Sequence, residues 1–90
     1  LGYLKIMYKN NNKRFAIVMH QVMTDPSLTI QAKGLYSLLS CYADKDRECF
    51  PSLSTLADTL NVTPDTVSRY IRELKAHNYI KRVGRKLIII

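Results

Sequence analysis

The stretch CFPSLSTLADTLNVTPDTVSRYIRELKAHNYIKRV, residues 49–83, contains two helix patterns separated by only a few residues. Ser52 is a favourable N-cap for the first helix, because its hydroxyl can accept a bond from a free backbone N–H. Apolar residues then recur at helical spacing: Leu53, Leu56, Ala57 and Leu60. Asn61 favours the left-handed conformation that ends a helix. Thr63 is a second N-cap, and Pro64 suits the first position of the next helix. The sequence therefore predicts two helices joined by a tight turn.

The second helix pattern, residues 64–77, has an apolar and a polar face when successive residues are placed about 100° apart. Its apolar stripe consists of Val67, Tyr70, Ile71 and Leu74. Its outward face consists of Asp65, Ser68, Arg69, Arg72 and Ala76. A helix that enters a DNA major groove needs such a face, since short side chains allow close approach and arginine matches two acceptors of guanine.

Seven residues of this stretch stand at the relative spacings of a helix-turn-helix motif: Leu56, Ala57, Leu60, Asn61, Val62, Val67 and Tyr70. With its surroundings, the chain resembles the winged helix-turn-helix domains of plasmid and phage replication proteins and related bacterial regulators. The resemblance covers about residues 24–83 and is strongest over 50–83. Asn61 replaces the usual turn glycine and tolerates the same backbone geometry. The implied fold is mainly α with small β, a three-helix core followed by a C-terminal β-hairpin wing.

The residues after the second helix are typical of a hairpin. Tyr79 to Val83 forms a strand pattern, Gly84 and Arg85 suit a two-residue turn, and Leu87 to Ile90 returns as the partner strand. Cys49 and Phe50 are predicted to form a short third strand that pairs with this wing.

The third helix of the predicted core lies upstream of the motif. Thr29 is its N-cap, and the pattern continues to about Ala43. The expected buried side consists of Ile30, Leu35, Leu38, Leu39 and Tyr42. Cys41 and Cys49 are expected to be small buried residues with free thiols.

Residues 1–23 are predicted to be a basic arm outside the domain formed by residues 24–90. Tyr3 to Tyr8 and Phe15 to Met23 are predicted strands around a turn-rich segment. Such a hairpin has two uses that the sequence leaves open, contact with DNA or pairing with a neighbouring subunit. Because the chain ends on an apolar strand, we also expect further domains beyond Ile90.

The charge distribution indicates a polyanionic partner. The chain has 90 residues and a net charge of +7, which divides into +4 over residues 1–23, −2 over 24–60 and +5 over 61–90. Positive charge at both ends of a small domain favours nucleic acid. No apolar run is long enough to span a membrane, and the composition is that of a soluble cytoplasmic domain.

The sequence gives no support for catalysis or a cofactor. It contains no glycine-rich phosphate loop and no nucleophile elbow, so an enzyme is not expected. Two cysteines and two histidines lack the spacing of a zinc site. Nothing in the sequence indicates a small-molecule ligand.

Double-stranded DNA is therefore the expected partner, and eight residues are candidates to contact it. The base or near-base contacts are Ser68, Arg69 and Arg72 on helix 64–77. The phosphate contacts are Thr63, Thr66, Lys75, Arg85 and Lys86.

The resemblance implies a role in initiating plasmid or phage DNA replication. A transcriptional regulator that binds an operator is an alternative, since both roles use the same recognition surface. A different class of function also stays open, a winged-helix module for oligomerisation or protein docking without DNA binding. A homodimer is expected because one module of this size buries little DNA surface.

Overall fold

The computed structural model describes residues 16–90. This part of the chain forms four helices, α1 (His20–Met23), α2 (Ile30–Tyr42), α3 (Leu53–Leu60) and α4 (Pro64–Ala76). It also forms three strands, β1 (Glu48–Cys49), β2 (Ile80–Val83) and β3 (Lys86–Ile89). Among the described residues, the helices are all too short or too polar to cross a membrane.

The three longer helices start at the hydroxyl caps expected from the sequence. The side-chain oxygens of Thr29, Ser52 and Thr63 each accept a bond from the backbone N–H three residues later, at 3.2, 3.1 and 3.3 Å. Asn61 ends α3 with a φ of 58°, the left-handed conformation that its type favours. Local side-chain chemistry therefore fixes the boundaries of α3 and α4, and the predicted helix–turn–helix is confirmed.

The strands form one antiparallel sheet in the order β1–β3–β2. Val83 pairs with Lys86, so Gly84 and Arg85 alone make the turn, and Gly84 has a φ of 61°. This is the predicted wing. The third strand is confirmed with a shift of one residue, because β1 ends at Cys49 and Phe50 leaves the sheet just before Pro51, which has no N–H to donate.

The core lies between the helices and one face of the sheet. The apolar stripe of α4 is confirmed, since Val67, Ile71 and Leu74 are buried and Tyr70 is half-buried. These side chains pack with buried residues from the other elements: Leu35, Tyr36 and Leu39 of α2, Leu56 and Ala57 of α3, and Leu87 and Ile89 of β3. One side of α4 is thus fixed in the core, which leaves its opposite side exposed.

The predicted buried side of α2 is partly wrong. Ile30 and Tyr42 are 79% and 45% exposed, and Leu38 is only half-buried. The residues that α2 does bury are Ala32, Leu35, Tyr36, Leu39 and Ser40. The prediction chose only large apolar side chains, whereas the observed stripe keeps Leu35 and Leu39 and also includes Tyr36 and the small residues Ala32 and Ser40. Tyr36 is accommodated there because its hydroxyl accepts a bond from Arg47 Nη2 at 3.1 Å.

The two cysteines differ in burial. Cys49 is buried as expected, and its Sγ donates to the carbonyl oxygen of Leu87 at 3.7 Å. Cys41 is exposed, so the expectation that it is buried was wrong. Its position on α2 lies close to that of the exposed Ile30 in the helical projection, away from the core.

The strand predicted over Phe15 to Met23 is wrong in its described part. Residues 16–19 are irregular, and α1 follows as a single helical turn. The turn directs Val22 into the core, where it is 1% exposed, while Met19 and Met23 stay exposed. Because this helical turn directs one residue inward, these residues do not show the alternating burial that is expected of a strand. The first predicted strand, Tyr3 to Tyr8, lies outside the described residues.

Two carboxylates connect the segment before α2 to the C-terminal half. The Tyr79 hydroxyl donates to Asp25 Oδ2 at 2.6 Å, and Glu73 accepts from the backbone N–H and hydroxyl of Thr29 at 2.7 and 2.9 Å. Asp25 also accepts two bonds from Ser27. These bonds stabilise the ionised carboxylate and lower the pKa of Asp25 from its usual 3.8 to about 2, with the Ser27 hydroxyl as the largest cause and Tyr79 next.

We expect Asp25→Asn to make the free energy of unfolding depend less on pH in the acid range. Because the folded-state pKa is below the unfolded one, ionised Asp25 stabilises the protein above about pH 4. That contribution is lost as the pH falls from about 4 towards about 2. Urea unfolding at pH 2 to 6 checks this, with Asp58→Asn as the control because the Asp58 side chain accepts no hydrogen bond within residues 16–90. Equal pH profiles for wild type and Asp25→Asn would contradict the prediction.

Candidate nucleic-acid interface

The outward face of α4 carries two exposed arginines. Arg69 and Arg72 are exposed, as the helical projection predicts, whereas Ser68, also expected on the outward face, is half-buried. Within residues 16–90, the Arg69 side chain makes one long bond, from Nη2 to Thr66 Oγ1 at 3.5 Å. Both guanidinium groups are thus available to a ligand on the side of α4 that the core does not use.

Thr63 and Thr66 already have structural roles at the start of α4. Their hydroxyl oxygens are 2.9 Å apart, and Thr63 Oγ1 accepts from the Thr66 backbone N–H. Asp65 adds a negative charge in the first turn, which is favourable for the helix dipole and unfavourable for a bound phosphate. The two threonines therefore fix the position of the first turn, and a phosphate contact there remains a prediction.

Lys75 lies at the other end of α4. It is exposed in the last turn, ten residues after Asp65, which is about 15 Å along the helix at 1.5 Å per residue. Lys75 is therefore separated from the threonines, and only a DNA backbone running along the helix would contact both.

The wing presents further cations. Arg85 is exposed in the turn, and Arg82 Nε donates to the Gly84 carbonyl oxygen at 3.2 Å. Lys86 is less available, because its Nζ lies 3.3 Å from Glu48 Oε2 in a half-exposed ion pair. Arg82 was not among the predicted contacts, although its place two residues before the turn glycine was a signal for it.

The arginines of α4 and the wing lack carboxylate partners in the described part of the chain. Within residues 16–90 the only ion pair joins Lys86 to Glu48. No carboxylate within residues 16–90 therefore forms an ion pair with Arg69, Arg72, Arg82 or Arg85. These arginines lie on one helix face and one hairpin, two kinds of element that can contact a groove and its adjacent backbone.

The comparisons with known proteins support the same motif. A family model described as a helix-turn-helix domain matches residues 27–80, which is more than half of the chain. No curated protein and no solved structure gives a significant match. The matched range includes α2, α3, the Asn61 turn and all of α4. The chain therefore belongs to the helix-turn-helix domain family.

Proposed function

We propose that the protein binds double-stranded DNA sequence-specifically, with α4 in the major groove and the wing on the backbone. The observation that carries the proposal is the pair of exposed arginines, Arg69 and Arg72, on the free face of the second helix of a helix-turn-helix. Ser68 beside them is small enough for the helix to approach the bases. The protein acts by binding, without catalysis or a cofactor.

The role we propose is initiation of DNA replication on a plasmid or phage, in the bacterial cytoplasm. It rests on the resemblance of residues 24–83 to such domains. Operator binding by a transcriptional regulator is the alternative, because it would use the same face of α4. Selecting preferred sites from random duplexes gives the recognised sequence. Its location in natural DNA then separates the two roles, since an origin protein is expected to bind repeats in an origin and a regulator a site in a promoter.

Fluorescence anisotropy with a random-sequence duplex over a salt series tests DNA binding itself. A protein that contacts several phosphates loses affinity steeply as salt rises. We expect measurable binding at low salt and a steep slope. Absence of binding at low salt would overturn the proposal and favour the docking module.

Wing variants should change the salt dependence. We expect Arg85→Ala with Lys86→Ala to weaken binding to every duplex alike and to reduce the salt slope by about one to two. Arg85 should contribute more, because Lys86 is paired with Glu48. The control for loss of charge alone is the double variant Lys33→Ala with Lys45→Ala. It removes one cation from α2 and one from the loop that follows. An unchanged slope in the wing variant would mean that the wing tip does not touch the backbone.

We also propose that the protein forms a homodimer, as paired half-sites would require. Ile30 on α2 is 79% exposed, and Met23 in α1 is 42% exposed. We expect Ile30→Glu to shift sedimentation velocity profiles from dimer towards monomer, while Val83→Glu, at another exposed apolar residue, leaves them unchanged. A monomeric wild type at the concentrations that saturate DNA would contradict this.

A further inference from the structure

A cleft of about 540 Å³ opens between the wing and the start of α3. Its floor is formed by the buried residues Leu56, Ile71 and Leu87. Its rim comprises Phe50, Pro51, Ser52, Leu53, Arg82 and Arg85. The cleft has the size of ordinary small-molecule sites, about 300 to 1,000 Å³.

The lining combines an apolar floor with a cationic rim. Among the described residues that line the cleft, the two charged ones are arginines and none is a carboxylate. Arg82 pairs with Leu87 across the hairpin, so the two side chains project from the same face of the wing. Its Nε bond to the Gly84 carbonyl holds the guanidinium group at the rim. A ligand would therefore meet apolar surface and a positioned positive charge together.

Phe50 places an aromatic ring at one side of the cleft, and this ring is not part of the hydrophobic core. It is 70% exposed at the edge of the cleft, although its type is usually buried. A planar ring stacked on Phe50 would cover this exposed surface and lie over the apolar floor.

We propose that this cleft binds a small anion with a planar apolar body, the ring against Phe50 and the anionic group on Arg82 and Arg85. Arg69 and Arg72 are not in the lining, so the site is distinct from the proposed recognition face of α4. The cationic rim and the apolar floor together favour an anion that also carries apolar surface. A DNA phosphate would satisfy the arginines and leave the apolar floor uncovered.

Titration of the full chain with anilinonaphthalene sulfonate, a fluorescent aromatic anion, tests the proposal. We expect saturable binding at one site, and much weaker binding of the uncharged analogue phenylnaphthylamine. Arg82→Gln should raise the Kd roughly tenfold, the loss expected for one hydrogen bond to a charged group. Phe50→Ala should raise it several-fold through loss of aromatic contact.

Two control variants are matched to these changes. Lys81→Gln removes the same charge from the neighbouring position of β2, whose side chain projects from the other face of the wing, and should leave the Kd unchanged. Tyr42→Ala removes an exposed aromatic ring that is not part of the lining and should also have no effect. The proposal is overturned by non-saturable binding, by equal affinity for the uncharged analogue, by full displacement with inorganic phosphate, or by equal losses in Lys81→Gln and Arg82→Gln. The comparison of the two probes uses the wild type, so it stands even if a variant fails to fold.

Discussion

Val67→Asp is expected to unfold the domain. Val67 is 0% exposed and lies in the core where α4 packs against α2 and α3. A carboxylate there would lose its hydration, and no buried residue within 16–90 carries a cation that could pair with it. An unpaired buried charge costs several kcal/mol, whereas a domain of this length has a total stability of about 5 to 13 kcal/mol. Circular dichroism at 25 °C should show loss of helix, or a large fall in the urea midpoint.

Val83→Asp is the matched control for this change. Val83 is 49% exposed at the end of β2, so the same substitution there leaves the carboxylate in water. We expect a loss of about 1 kcal/mol or less, the range of strand propensity. If the Val67→Asp protein unfolds at the same temperature and urea concentration as the wild type, the assignment of Val67 to the core is wrong.

Local signals allowed the helix boundaries and the two faces of α4 to be predicted. A cap such as Thr63 bonds to a backbone group three residues away, and the arginines of α4 are separated from the core by the helical period alone. Both features depend only on near neighbours in sequence. The existence of α2, α3 and α4, the Asn61 turn and the wing could be predicted for the same reason.

The burial of α2 depends on contacts that are distant in sequence. Which side of α2 faces inward is decided by α4 and by Arg47, whose guanidinium satisfies the Tyr36 hydroxyl. A pattern that ranks residues by apolar size alone prefers Ile30, which proves to be exposed. Similarly, the single helical turn at Val22 forms because the core receives that side chain, and no local signal marks it.

The candidate nucleic-acid interface also combines features that the sequence predicts with features that depend on distant contacts. Arg69 and Arg72 could be placed from the sequence, whereas the pairing of Lys86 with Glu48 joins residues 38 positions apart through the register of β1 and β3. The cleft beside the wing likewise requires Phe50 from the segment before α3, Ile71 from α4 and Arg82 from β2 to converge. The distances between these residues are set by the folded structure, and no local sequence pattern predicts them.

Arg69→Ala and Arg72→Ala are expected to reduce binding to the preferred DNA site far more than binding to random DNA. An arginine that is bidentate to guanine contributes roughly 1 to 3 kcal/mol of discrimination, so each substitution should weaken specific binding about 5- to 150-fold. Both side chains are exposed and make no ion pair within residues 16–90, so their removal should leave stability nearly unchanged. Competition anisotropy with the selected duplex and a random duplex measures the ratio directly.

Arg69→Lys distinguishes a base contact from a phosphate contact. Lysine keeps the charge and loses the planar fork that matches the O6 and N7 atoms of guanine. If Arg69 reads a base, the lysine variant should lose specific affinity almost as far as the alanine variant while keeping the wild-type salt slope on random DNA. If Arg69 binds only a phosphate, lysine should restore both affinities together. Since α4 presents this side chain on its free face in either case, the ratio of the two losses decides which atoms of the DNA it contacts.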